Sequence, residues 1–142
     1  MAETKRFPYL PTKTTSGEAT LRPFVPIKLS YKEKSIEAEG LLDSGADVNV
    51  LPYSIGVELG ADWEAQNIAI ELSGNLARYE ARGIILDGAI ENFESVRLAF
   101  AWTRTDEVPI LLGQVNFFAE LDVCFFGSQK AFEVSLRDRS TS

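Results

Sequence analysis

Leu41-Leu42-Asp43-Ser44-Gly45-Ala46-Asp47 is the stretch on which the reading of this chain turns. Two apolar residues carry a strand into a core, and an aspartate, a hydroxyl and a glycine follow at once. Asp, Ser and Gly are common turn residues, so a plain turn is one reading. The other is chemical: a carboxylate presented at the end of a buried strand, beside a glycine that lets backbone approach where a Cβ would intrude. Gly40 precedes the stretch. Val48-Asn49-Val50-Leu51 follows it as a second short strand, and Pro52 then sits at a helix entry.

Outward from this point the pattern is one of short strands. Upstream, Val25, Ile27 and Leu29 alternate with Pro26, Lys28 and Ser30. Lys32-Glu33-Lys34 reads as a polar turn, and Ile36 and Ala38 begin the return strand that runs into Leu41. Downstream, Ser54 to Leu59 reads as a short helix stopped by Gly60. Ile68, Ile70 and Leu72 alternate, Ser73-Gly74-Asn75 is a hairpin signal, and Leu76 to Ile84 carries the chain back. Asp87-Gly88 is a further turn signal. Val96, Leu98 and Phe100 alternate again. Pro109 to Gly113 reads as a buried strand, Val115 to Leu121 as a short helix, and Val123–Phe126 with Ala131–Leu136 as a closing hairpin around Gly127-Ser128. The fold class expected is all-β, a barrel or sandwich with one or two short helices. A weak echo links Gly40–Ala46 to Gly83–Ala89.

Composition narrows the chemistry. The chain has 142 residues, 45% hydrophobic and 25% charged, which fits one globular domain. Residues 1–21 read as a flexible tail or a pairing arm, with a Thr/Ser cluster at Thr12, Thr14, Thr15 and Ser16, and residues 22–142 as the domain. The net charge is −7, which argues against nucleic acid and anionic membranes as partners. No apolar run reaches the ~20 residues of a bilayer span, and no secretory signal is visible, so a cytoplasmic protein is expected. Histidine is absent, which removes histidine-based nucleophilic catalysis and histidine metal sites. Cys124, the single cysteine, reads as a small buried hydrophobe, and Trp63 and Trp102 as packing or edge aromatics. No metal and no cofactor is expected.

The central motif, with its flanks Gly40-Leu41-Leu42 and Val48–Pro52, resembles the active-site loop of retropepsin-like aspartic proteases. Ile110-Leu111-Leu112-Gly113 is similar to that family's second signature, an apolar strand that ends in glycine and leads into a helix. Leu72-Ser73-Gly74-Asn75-Leu76 sits where the family carries its flap, and the strand pair after Leu121 also has a counterpart. The resemblance runs in order from Phe24 to Leu136. It implies a closed β-barrel with a flap hairpin, and an aspartic endopeptidase acting on a polypeptide substrate.

The chemistry explains the residue types. Two carboxylates sharing one proton activate a water: one takes the water's proton while the other donates to the substrate carbonyl oxygen. The pair titrates as a unit. One chain offers one Asp-Ser-Gly, so the resemblance implies a homodimer in which each copy supplies Asp43 about a twofold axis. Asp87, from the echo, is the alternative partner within one chain, although a turn explains it. The resemblance also gives Ser44 and Gly45 a supporting role in the loop. It places Ala46, Asp47, Val48, Val50 and Leu111 along the substrate groove, and Ser73, Gly74, Asn75 and Leu76 over it. Core packing is the other reading of Val48, Val50 and Leu111.

Two departures stand out. Gln114 occupies the position where retroviral relatives usually carry an arginine that pairs with the carboxylate corresponding to Asp47, so Asp47 either has another partner or is solvated. The flap has only Gly74, which implies a stiffer or shorter tip. Two rival functions follow: a catalytically inactive, peptide-binding or assembly module of the same fold, and an unrelated β-barrel with a coincidental Asp-Ser-Gly-Ala turn.

Overall fold

The computed structural model describes residues 3–13, 17 and 19–137. Of the Thr/Ser cluster, Thr14, Thr15 and Ser16 lie outside the described residues, as does the end of the chain from 138. Six strands close a barrel in the order β4-β5-β9-β6-β8-β7. These are β4 (Phe24–Tyr31), β5 (Lys34–Leu42), β6 (Asn49–Leu51), β7 (Ala81–Ala89), β8 (Val96–Thr103) and β9 (Ile110–Leu112).

The alternation in β4 does what its period requires. Val25, Ile27 and Leu29 are buried, while Pro26 and Lys28 face out. Lys32, with φ of 54°, turns the chain into β5. Two further features bring the motif together. β5 runs parallel to β9, with Leu41 opposite Leu111 and Leu42 opposite Leu112. β6 lies on the other side of β9, antiparallel, with Val50 opposite Leu111. The chain therefore leaves β5 at Asp43 and returns in β6 on either side of the strand that ends at Gly113.

Helix α1 (Tyr53–Glu58) covers one side of the barrel, starting one residue earlier than the pattern suggests. Gly56 lies so close to Trp102 that a Cβ there would stand 2.2 Å from the indole ring. Trp102 stacks on Tyr53 and meets Trp63 edge-on, and both indoles are buried, as the sequence suggests. Helix α2 (Phe117–Glu120) is shorter than expected, because Leu121 already belongs to the next strand.

Four expectations need correction. The first concerns the start of the chain, which is no solvated tail. Strand β1 (Thr4–Pro8) pairs antiparallel with β11 (Ala131–Leu136), which also pairs with β10 (Leu121–Phe126). Phe7 is buried and stacks on Phe132 at 5.4 Å, so the arm pairs with its own chain. Strands β2 (Leu10–Lys13) and β3 (Ala19–Arg22) form a separate small hairpin. The second is Asp87-Gly88, which makes no turn and lies within β7. Gly88 is glycine for packing: a Cβ would stand 2.7 Å from Leu98 Cδ1 and 3.1 Å from Ile27 Cδ1. The turn comes later, at Glu91 with φ of 49°. The third is the flap hairpin, whose antiparallel stem lies at its base, where Ala69 bridges Arg82 and the Ile70 and Gly83 amides donate to the Ala81 and Ile68 carbonyls, and not beside Ser73–Asn75. Gly74–Leu76 forms a 3₁₀ turn, and the amides of Leu76, Ala77 and Tyr79 bond three residues back instead of across a ladder. The fourth is Cys124, which is exposed, because β10 is the edge strand of its sheet.

Candidate active site

Asp43 follows β5 directly and is fixed through both its backbone and its side chain. Its amide donates to the Leu112 carbonyl at 3.0 Å, which ties the end of β5 to the end of β9. Its carboxylate Oδ1 accepts the Gly45 amide at 3.0 Å, and its carbonyl accepts the Ala46 amide at 3.0 Å. The result is a tight turn over Ser44 and Gly45. A Cβ on Gly45 would stand 3.3 Å from that same Oδ1, tighter than ordinary contact.

The loop after β9 is locked to this turn. Gly113 passes so close beneath residues 46–48 that a Cβ would stand 2.6 Å from the Ala46 oxygen and 2.8 Å from the Val48 oxygen. Its amide donates to Oδ1 of Asn49 at 2.8 Å, and Asn49, fully buried, donates through Nδ2 to the Ala99 carbonyl at 3.0 Å. The Gln114 and Val115 amides donate to the carbonyls of Ala46 and Asp47. The Gln114 side chain donates through Nε2 to the Ser44 carbonyl at 2.7 Å. Gln114 thus holds the aspartate loop by a neutral hydrogen bond. Asp47 is exposed, and among the described residues no ion pair involves it.

A cavity of about 590 Å³ opens above the turn. Asp43, Gly45, Ala46 and Asp47 line one side, and Val48, Val50 and Leu111 continue it. Ser73, Gly74, Asn75 and Leu76 line it from the flap loop. Of the residues that the resemblance assigns to the loop, the groove and the flap, all but Ser44, whose carbonyl is engaged by Gln114, line this cavity. Asp87 lies elsewhere, exposed on β7 opposite Arg97. Val50 and Leu111 are also packed, in an apolar cluster with Val108 that Leu72, Leu76 and Tyr79 cover from the flap loop. Val50 and Leu111 therefore both pack and line the cavity.

Sequence reasoning missed Glu71, which also lines the cavity, as does Leu72 at the start of the flap stretch. It missed Asn49 as the buried bridge, although an asparagine between two valines in a buried strand is the signal of a polar group with buried partners. It missed the anchors of the flap loop. Arg82 lies over the Trp63 ring at 4.7 Å and donates to the carbonyls of Trp63 and Gln66, ahead of the loop. The Tyr79 hydroxyl donates to Glu107 at 2.8 Å and accepts from Arg78 at 2.6 Å, at the loop's far end. The bond to Tyr79 also raises the Arg78 guanidinium above its ordinary pKa.

Asp43, Asp47 and Glu71 give the cavity three carboxylates, and neither lysine nor arginine lines it. Among the described residues, no group of three or more His, Cys, Asp or Glu side chains is placed to hold a metal ion. No helix among them is long and apolar enough to cross a membrane.

Neither a family model nor a curated protein matches this sequence. A solved structure does. The crystal structure of a retropepsin-like aspartic protease from Rickettsia conorii matches 96% of this chain and 96% of its own, with a TM-score of 0.60 and 13% sequence identity. The fold is retropepsin-like. At that identity the likeness is one of fold.

Proposed function

We propose that this protein is an aspartic endopeptidase whose catalytic pair is formed by Asp43 from each of two copies. The observation that carries the reading is the placing of Asp43: it ends a barrel strand, is tied to the second loop at Leu112, and lines a cavity under the flap loop. One carboxylate per chain is half of an acid–base pair, and a twofold axis beside Asp43 supplies the other half.

In this reading, one Asp43 carboxylate takes a proton from a water and the other, protonated, donates to the carbonyl oxygen of the bond to be cut. The water oxygen bonds to the carbonyl carbon. The tetrahedral intermediate then expels the amine, which leaves with a proton. A carboxyl and an amino terminus result, and the pair again holds one proton. The exposed edge of β10, with Phe125 and Cys124 at its surface, is an available strand for a second copy. Gln114 supports catalysis by holding the Ser44 carbonyl, a task that needs no charge.

The test is cleavage of a mixed peptide library by purified protein at several concentrations, with the Asp43→Asn protein alongside. The expected result is cleavage whose specific rate rises with concentration and that vanishes in Asp43→Asn, while the far-UV spectrum is unchanged. A folded protein that cuts nothing at any concentration or pH would favour a non-catalytic peptide-binding role.

A further inference from the structure

Val50 and Leu111 line the cavity that holds Asp43, yet they are only 1% and 9% exposed. Leu111 pairs with Leu41, two residues before Asp43, and with Val50 on its other side, so the two form an apolar wall close to the carboxylate. The flap rests on that wall. Its Leu72, Leu76 and Tyr79 pack, with Leu41 and Val48, against the cluster of Val50, Val108 and Leu111. Leu72 and Leu76 also line the cavity, while Tyr79 and Val108 do not.

A polar latch holds the same stretch down. The Tyr79 hydroxyl donates to Glu107 at 2.8 Å and accepts from Arg78 at 2.6 Å. The Arg78 guanidinium lies 4.8 Å from the centre of the Tyr79 ring and 3.9 Å from the Glu107 carboxylate. Glu107 precedes Val108, so the hydrogen bond and the apolar contact tie the flap to adjacent positions of one barrel loop. That loop is itself fixed. The Tyr53 amide donates to the Thr105 carbonyl, the Ser54 amide to the Asp106 carboxylate and the Glu107 amide to the Thr105 hydroxyl. The Arg104 amide donates to the Glu80 carbonyl on the returning limb of the flap. The latch thus joins the flap to a firm support within one chain.

We propose that the flap is a self-seating lid: in the free protein Leu72, Leu76 and Tyr79 occupy the wall that a substrate side chain needs, the Tyr79–Glu107 latch holds them there, and the polypeptide binds in competition with the flap. The proposal rests on the peptidase reading above. A side chain that flanks the cut bond gains from apolar contact beside Asp43, and Val50 and Leu111 offer that contact once the flap has lifted. A ligand that requires a minor conformation binds with its affinity reduced by the fraction of molecules in that conformation. Weakening the latch therefore tightens binding, whereas loss of a latch that positions the flap over bound substrate would weaken it. Tyr79 and Glu107 suit the test, since neither lines the cavity and replacing them removes no part of its wall.

The test has two arms. In the first, the full-length Asp43→Asn protein is titrated with acetyl-Ser-Leu-Phe-Leu-Ser-amide, alone and with Tyr79→Phe or Glu107→Gln added, and the affinities are compared by calorimetry. Tyr79→Phe keeps the ring and removes the hydroxyl, and should tighten binding about threefold, the worth of one exposed hydrogen bond. Glu107→Gln keeps an acceptor for the hydroxyl and loses the charge that faces Arg78, so its gain should be smaller. Equal or weaker affinity in folded Tyr79→Phe protein overturns the proposal. In the second arm no peptide is present. Relaxation of the Val50 and Leu111 methyl groups by the neutral nitroxide hydroxy-TEMPO is compared between wild type and Tyr79→Phe, with the fully buried Leu51 and Leu98 as references. A rise of about threefold at Val50 and Leu111 alone supports the lid, in proportion to the greater share of lifted flap. No change, or an equal rise at the references, overturns it. If no variant binds the peptide and wild type cuts nothing in a peptide library, the peptidase reading falls, and the second arm alone decides whether the flap seats itself on this wall.

Discussion

Gly113 shows how closely the two loops of the site are fitted. With the Ala46 and Val48 oxygens 2.6 Å and 2.8 Å from where its Cβ would stand, Gly113→Ala must push backbone away from backbone. The expected cost is about 3 kcal/mol of stability, at the upper end for overpacking because neither oxygen is on a flexible side chain. Chemical denaturation measures it, and a cost below about 1 kcal/mol would mean the loops are less tightly apposed. Asn49 is the partner test. Asn49→Leu strands the buried Gly113 amide and the Ala99 carbonyl, for a loss of about 2 kcal/mol. Peptidase activity should fall further than stability explains, because the Gly113 loop supports Asp43. At this scale the sequence was generous with Asp43, Gly45 and the cavity-lining residues, whose types are tied to chemistry. It was silent on Asn49, Glu71 and the hydrogen bond of Gln114, since nothing in a residue's type says which distant backbone group it will meet.

Elements tell a different story. The barrel strands were legible because one face of each is buried, and burial writes itself into alternation. β1 was not, since Phe7 is its single buried side chain and Pro8 and Pro11 suggested a tail. Phe7→Ala should therefore cost about 3 kcal/mol, as for a core aromatic, where a solvated tail would lose nothing measurable. Asp87-Gly88 misled for the opposite reason. A strong turn signal was overruled by the need for a residue without a side chain between Leu98 and Ile27. The flap hairpin was legible as such, but its stem lies at 68–70 and 81–83 and its tip is wider than expected, because one glycine and its polar neighbours suit a 3₁₀ turn as well as a tight hairpin turn. Its anchor gives a prediction: Tyr79→Phe removes the hydroxyl bridge to Glu107 and should speed amide hydrogen exchange across Leu72–Tyr79 a few-fold, while core strands are unchanged.

The whole molecule is a closed barrel that presents one aspartate per chain under a loop, with a second three-stranded sheet, β1-β11-β10, alongside. The barrel was readable from strand spacing and the paired signatures at Asp43 and Gly113. The number of chains in the working unit was not, since it depends on surfaces and not on a core. The central claim is that two copies of Asp43 act together, and subunit mixing tests it most directly. Wild type and Asp43→Asn protein are combined at constant total concentration, well above that at which activity is half maximal, and cleavage is followed as the wild-type fraction varies. If the pair spans two chains, activity follows the square of that fraction, so an equal mixture retains about a quarter of the wild-type rate. A linear fall, with about half the rate left in the equal mixture, would mean that each chain works alone and would contradict the account.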